Sequence, residues 1–183
     1  KVLTRNSERM PAVPGVEYVE GSSINGGRVM LCLAGCDAVV VALKGDKRAP
    51  KGFLTTSISH IISDMRKLEI ERLVVIGYIG AGESASQLPP VQRLLAPLSD
   101  RKSLDDLGTM EGVVKGSPLE WTFLKTGKLT DEDATDAYTT GTDGETVVKP
   151  VGREDVAKFV LHELGERSYL KQSPYIGGTI DRS

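Results

Sequence analysis

Two stretches constrain the fold of this chain more than anything else in it. Residues 37–43 (DAVVVAL) and 72–79 (RLVVIGYI) are nearly continuous apolar runs, rich in β-branched side chains. A strand with one wet face alternates apolar and polar residues, so unbroken runs of this kind predict strands covered on both faces by helices. Between them Leu54, Ile58, Ile61, Met65 and Leu68 recur in steps of four and three, which puts them on one face of a helix. Strand, helix and strand within about 40 residues make a βαβ crossover, the unit of a parallel sheet.

The rest of the chain continues the alternation. Residues 1–4 and 15–19 predict short strands, the second ended by Gly21-Ser22-Ser23. Residues 28–33 predict a short helix whose start Gly26-Gly27 weakens. The Gly/Ser/Pro-rich stretch 80–97 begins as loop. Residues 100–115 predict a helix with Leu104, Leu107, Met110 or Glu111, and Val114 along one side, stopped by Gly116-Ser117-Pro118. Residues 120–124 (EWTFL) predict a third strand, and residues 139–149 a hairpin around Thr142-Asp143-Gly144. Residues 153–164 predict a last amphipathic helix with Gly165 as its C-cap. The expectation is an α/β fold: a Rossmann-like, doubly wound, mostly parallel sheet with helices on both faces.

Composition narrows the function. With 183 residues, 39% of them apolar, the chain has room for one domain with a sizeable core, and residues 1–183 are expected to form a single domain. A net charge of −2 leaves no electrostatic footprint for nucleic acid, and 5% aromatics leave few stacking platforms for bases. No stretch approaches the roughly 20 apolar residues of a membrane span. No charged segment followed by an apolar one opens the chain as a secretory signal would. Cys32 and Cys36 are too few for a disulfide framework and predict buried thiols in a reducing, cytoplasmic setting. His60 and His162 have no partner at ligand spacing, so no metal site is expected. The acidic residues Asp131, Glu132, Asp133 and Asp136 lack the spacing of a calcium loop and predict a solvated segment. Glu111 and Lys102 predict exposed helix positions.

Several stretches together carry a family resemblance. They are residues 33–43 (LAGCDAVVVAL), the strand at 72–80, Asp105-Asp106, residues 110–115, residues 117–124 (SPLEWTFL), Ala137-Tyr138, residues 153–157 (REDVA) and Tyr175-Ile176-Gly177-Gly178. In this order the chain resembles the atypical short-chain dehydrogenases/reductases of the NmrA-like, NAD(P)-binding family, with its closest likeness to the flavin reductase (biliverdin-IXβ reductase) branch. The likeness runs over nearly the whole chain. It departs at the start. Such proteins open with a strand and a Gly-rich turn that cradles the pyrophosphate at a helix N-terminus. No such segment is present here, and residue 1 falls where the family's second strand would begin. In a doubly wound sheet the first strand is central, so the resemblance implies a sheet with a hole. The expectation is a chain without its natural N-terminal strand-turn-helix; the alternative is a sheet whose strands pair differently.

The resemblance implies NADP(H), in preference to NAD(H), beyond the carboxyl ends of the strands. Arg5, just past the first strand, would meet the 2′-phosphate, with Thr4 and Asn6 adding hydrogen bonds. The acidic residue that the family often carries after its next strand is replaced by Gly21-Ser22-Ser23. Ala42, Leu43 and Lys44 would border the dinucleotide, and Gly77 would line it where similar proteins carry serines. Tyr78 and Lys128 are the catalytic candidates: a phenol that can donate a proton and a cation that can hold an anionic acceptor. Thr126 lies beside them, in a segment (LKTGK) that keeps only the glycine of the family's Arg-Pro-Gly turn. The implied function is an NAD(P)H-dependent oxidoreductase that passes a hydride to a small conjugated acceptor such as a flavin or quinone. The alternative is a non-catalytic NAD(P)-sensing or scaffold protein. No nucleic-acid or membrane partner is expected, and the sequence leaves the oligomeric state open.

Overall fold

Parallel pairing dominates the architecture, as crossovers between buried strands require. The computed structural model describes residues 1–45, 49–81, 101–142 and 149–179. In chain order these form β1 (Val2–Thr4), a 3₁₀ turn (Ser7–Arg9), β2 (Tyr18–Glu20), α1 (Gly26–Leu33), β3 (Ala38–Val41), α2 (Phe53–Lys67) and β4 (Arg72–Tyr78). They continue with α3 (Arg101–Lys115), β5 (Glu120–Thr126), β6 (Leu129–Thr130), β7 (Tyr138–Gly141), β8 (Val151–Gly152), α4 (Arg153–Glu166) and β9 (Tyr175–Gly178). A five-stranded sheet runs in the order β3-β4-β5-β9-β7, with only the β7–β9 pair antiparallel. The pairs β1–β2 and β6–β8 form two small parallel sheets of their own. This is the expected α/β, doubly wound arrangement.

Among the described residues β1 pairs only with β2, and β3 only with β4, so β1–β2 is a sheet separate from the main one. Helix packing holds the two parts together instead. Helix α1 packs on β1, β2 and α2. Leu3 of β1 packs against the same core as Val29 and Leu33 of α1, Val39 of β3 and Ile58 of α2. The Lys1 ammonium donates to the Ala34 carbonyl at 2.8 Å, tying the start of β1 to the end of α1.

Two apolar clusters flank the main sheet. On one face Leu54, Ile58, Met65, Leu73, Val75, Met110, Val114 and Phe123 join α2 and α3 to β4 and β5. On the other, Val74, Leu124 and Ile176 meet Val156, Phe159 and Val160 of α4. Among the described residues this second cluster includes none from β3, and Val40, in the run at 37–43, is 43% exposed.

Four further expectations are corrected. Helix α1 begins at Gly26, because Asn25 caps it by accepting from Arg28 N–H and offsets the poor helix propensity of the glycines. Strand β5 runs on to Thr126, since its full length pairs with β4, so Lys125 and Thr126 are strand residues rather than a turn. Tyr138–Gly141 pairs antiparallel with the distant β9, while residues 143–148, which hold most of the other arm of the expected hairpin, lie outside the described residues. Helix α4 ends beyond Gly165, with Arg167 as the left-handed C-cap at φ 56°. Most of the loop expected at 80–97 also lies outside the described residues.

One buried ion pair joins the sheet to α4. Arg72 and Glu163 are 2% and 0% exposed, and Arg72 Nη2 reaches Glu163 Oε1 at 2.9 Å. The same oxygen accepts from Thr122 Oγ1 and Tyr169 N–H, while Arg72 also donates to the carbonyls of Glu120 and Glu163. Burial lowers the Arg72 pKa from its ordinary value, and the neighbouring Glu163 opposes that shift.

Candidate functional site

Because β3, β4 and β5 are parallel and in register, their carboxyl ends open on one edge. β1 is parallel to β2 in a separate two-stranded sheet, so Thr4 and Glu20 end side by side. The structure thus gathers most of the sequence candidates as strand ends. Ala42 and Leu43 follow β3, Gly77 and Tyr78 end β4, Thr126 ends β5 with Lys128 two residues on, and Thr4, Arg5 and Asn6 leave β1. Open α/β sheets take their ligands at this edge.

Each candidate has a definite setting. Ala42 is exposed and Leu43 half-buried, and the strand has already ended at Val41. The next turn of chain is held by α3. Asp106 caps the start of α2 by accepting from Leu54 N–H at 2.8 Å and Thr55 N–H at 3.1 Å, since Gly52 at the N-cap has no side chain to do so. Thr126 is 2% exposed and donates from Oγ1 to the Gly77 carbonyl at 3.1 Å. Tyr78 is 44% exposed on the sheet face that carries α4. Lys128 is exposed, and its carbonyl accepts from Val151 N–H at 3.0 Å.

Gly77 has a steric reason for lacking a side chain. A Cβ there would lie 2.4 Å from Cε1 and 2.7 Å from Cζ of Phe123, a ring only 1% exposed. The space a serine would need is filled by the core.

The turn after β1 is built around a carboxylate. Register sets Thr4 opposite Glu20, the last residue of β2. Glu20 Oε2 accepts from Ser7 Oγ at 2.7 Å and from Ser7 N–H at 3.3 Å. Hydrogen bonds from the Ser7 hydroxyl and N–H, helped by the charge of Arg28, lower the Glu20 pKa below the usual carboxylate range. Asn6 caps the 3₁₀ turn by accepting from Arg9 N–H, and Thr4 Oγ1 accepts from Asn6 N–H at 3.4 Å. Arg5 is exposed between them.

This donor set fits the phosphate end of a dinucleotide. Arg5 is exposed two residues before Ser7, whose hydroxyl and N–H already hold an anionic oxygen, and a phosphate would use the same three kinds of group. Glu20 was not singled out from the sequence. Its signal was its position as the last residue of a strand paired with the one that Arg5 follows.

Two further charged groups were also missed. Glu111 is 3% exposed, not a solvated helix residue, because it accepts ion pairs from Lys125 at 3.0 Å and Lys115 at 2.9 Å. Lys125, itself 8% exposed, thereby ties the end of β5 to α3. Asp155 holds the acidic segment after β6 by accepting from Thr135 N–H at 3.2 Å and Asp136 N–H at 2.9 Å. Burial raises its pKa, but the hydrogen bonds from Thr135 and Asp136 and the charge of Lys158 outweigh this, and the net shift is downward. Asp136 in turn pairs with Lys158 at 2.8 Å, whose pKa that contact raises. The segment at 131–136 is exposed, as expected, yet tethered. Cys32 is buried and Cys36 partly so, both free, and burial raises the Cys32 thiol pKa.

A doubly wound sheet with its polar groups at the carboxyl edge defines a nucleotide-binding class of protein. Sequence comparison agrees. A family model described as NAD(P)H-binding matches residues 1–167, and the chain belongs to that family. Solved structures share the fold. ChuY of E. coli CFT073 superposes with a TM-score of 0.79 at 17% identity, covering 99% of this chain and 85% of that one. ChuY of Escherichia coli O157:H7, described as an anaerobillin reductase, gives a TM-score of 0.76 at 18% identity over 92% of this chain and 78% of that one. A short-chain dehydrogenase/reductase of Veillonella parvula DSM 2008, in complex with NADP, gives 0.71 at 20% identity over 87% and 71%. The chain therefore is an NAD(P)H-binding family member with the fold that these structures share. Among the described residues no helix is long and apolar enough to cross a membrane.

Proposed function

We propose that the protein is an NADP(H)-dependent reductase acting on a small, flat, conjugated acceptor such as a flavin or quinone. The observation that carries this is the shared carboxyl edge of β3, β4 and β5, which lines up Leu43, Tyr78 and Thr126, with the anion-holding turn of Arg5 and Ser7 at the end of β1. The NADP bound by the Veillonella parvula relative and the reductase activity in the description of the O157:H7 relative support the same reading.

When bound, the cofactor would supply a hydride from C4 of the nicotinamide. This chain's part is to bind, orient and supply a proton. Arg5, with Thr4 and Asn6, would fix the 2′-phosphate. Ala42 and Leu43 would border the dinucleotide, and Gly77 would line it through its backbone at the end of β4. Thr126 braces the end of β5 against that of β4 through the Gly77 carbonyl. Tyr78 would donate a proton to an acceptor that has received a hydride, and Lys128 would attract an anionic one.

A second reading has one observation in its favour. The core ring of Phe123 fills the space beside Gly77, where a serine is usual in similar proteins. A fold without that hydroxyl suits a non-catalytic NAD(P)-sensing or scaffold protein. One experiment addresses both. NADPH is titrated and energy transfer from Trp121, on the order of 17 Å from the end of its strand by strand rise, is followed. Micromolar binding with turnover of a flavin or quinone supports the reductase. Binding without turnover of either supports the sensor. No binding at millimolar NADPH refutes both.

A further inference from the structure

Glu20 occupies donors that the proposed phosphate subsite needs. Its Oε2 takes both the hydroxyl of Ser7 at 2.7 Å and the Ser7 N–H at 3.3 Å. Ser7 is two residues beyond Arg5, in the turn that leaves the strand paired with Glu20's own. The side chain is exposed, so no packing locks it there. Arg28 provides a nearby positive charge: its stem crosses Gly21, where an added Cβ would lie 2.7 Å from Arg28 Cβ.

We propose that Glu20 is a specificity-determining residue, an internal carboxylate that competes with the 2′-phosphate of NADP(H) for the Ser7 donors. The proposal rests on the Arg5 turn being the 2′-phosphate subsite. A dianionic phosphate entering beside Arg5 must displace the carboxylate from Ser7 and then remain near a like charge. A ribose bearing a free 2′-hydroxyl meets neither cost, and can donate its own hydrogen bond to the carboxylate. Glu20 therefore reduces the preference for NADP(H) that Arg5 creates.

Glu20→Gln separates charge from shape. The amide oxygen still accepts from Ser7, so the turn keeps its tie, while the negative charge is lost. The test is calorimetric titration of NADPH and of NADH into the wild type, Glu20→Gln and Arg5→Ala, with circular dichroism to establish that each variant is folded. Glu20→Gln is expected to tighten NADPH by about fivefold and to leave NADH within about twofold, the scale of charge-assisted hydrogen bonds at an exposed site. Arg5→Ala is expected to weaken NADPH and spare NADH. An unchanged ratio of NADPH to NADH affinity in Glu20→Gln, or a shift toward NADH, overturns the role of Glu20 while leaving the subsite intact. Unchanged NADPH affinity in Arg5→Ala overturns the subsite itself, as does failure of every form to bind either nucleotide.

Discussion

Gly77→Ser would introduce the residue type that the family resemblance implies at this point, and the fold will resist it. The new Cβ would overlap Phe123 Cε1 at 2.4 Å and Cζ at 2.7 Å, far inside van der Waals contact. The ring cannot swing into solvent, because it is 1% exposed and packed among Leu73, Val75 and Met110. Overpacking of this kind costs about 1–3 kcal/mol. For a chain of this size that lowers Tm by about 2–12 °C. The assay is urea unfolding followed by the fluorescence of Trp121, which is 6% exposed and shares β5 with Phe123. Phe123→Leu supplies the control. Alone it should cost about 1–2 kcal/mol through the cavity it leaves. Combined with Gly77→Ser it should recover at least about 1 kcal/mol relative to the sum of the two single changes, because the hydroxymethyl group enters the vacated space. Wild-type stability for Gly77→Ser, or additivity of the pair within about 0.5 kcal/mol, would refute the steric account.

Removing one partner of the buried pair between Arg72 and Glu163 should be costly. Glu163→Ala is expected to lose about 3–5 kcal/mol, because it strands a buried guanidinium, and Glu163→Gln less, because it keeps one acceptor for Tyr169 N–H; equal stability of all three forms in urea would contradict this. Asp155 sets an acid limit. Its folded pKa lies below the ordinary 3.8, so its contribution is complete above that value and is lost as pH falls through the folded pKa. Below about pH 4 the Tm of the wild type should therefore fall more steeply than that of Asp155→Asn, and parallel Tm curves between pH 2 and 6 would remove Asp155 from the acid response.

Most of the fold is legible in periodicity. The apolar runs at β3 and β4 and the four-and-three spacing of α2 specify a parallel crossover, because α2 and β4 bury the faces that the pattern marks and β3 buries one of its two. What failed had non-local causes. Tyr138–Gly141 is a strand because β9 lies alongside it, and no local turn signal reveals that partner. The end of β5 was drawn too early because Lys125 and Thr126 look like turn residues, whereas Glu111 neutralises the lysine and the Gly77 carbonyl takes the threonine hydroxyl. Val40 belongs to an apolar run that reads as fully covered, yet it is exposed, and the cluster that α4 forms with β4, β5 and β9 includes no described residue of β3.

The candidate site was legible as a set of strand ends and not as chemistry. Knowing that a sheet is parallel is enough to bring Leu43, Tyr78 and Thr126 to one edge, since only direction and register are needed. Charge state and occupancy require side-chain partners, and those come from elsewhere in the chain. Glu111 reads as a solvent-facing carboxylate until Lys125 is found on the strand beneath it. Glu20 reads as the exposed end of a short strand until the β1–β2 register sets it opposite Thr4, within reach of Ser7. On the proposed reading Arg5 alone is a poor guide to nucleotide choice, because its attraction for a phosphate would act on a turn where Glu20 already holds the Ser7 donors, so the preference would depend on the difference between two anions at one serine rather than on the presence of an arginine.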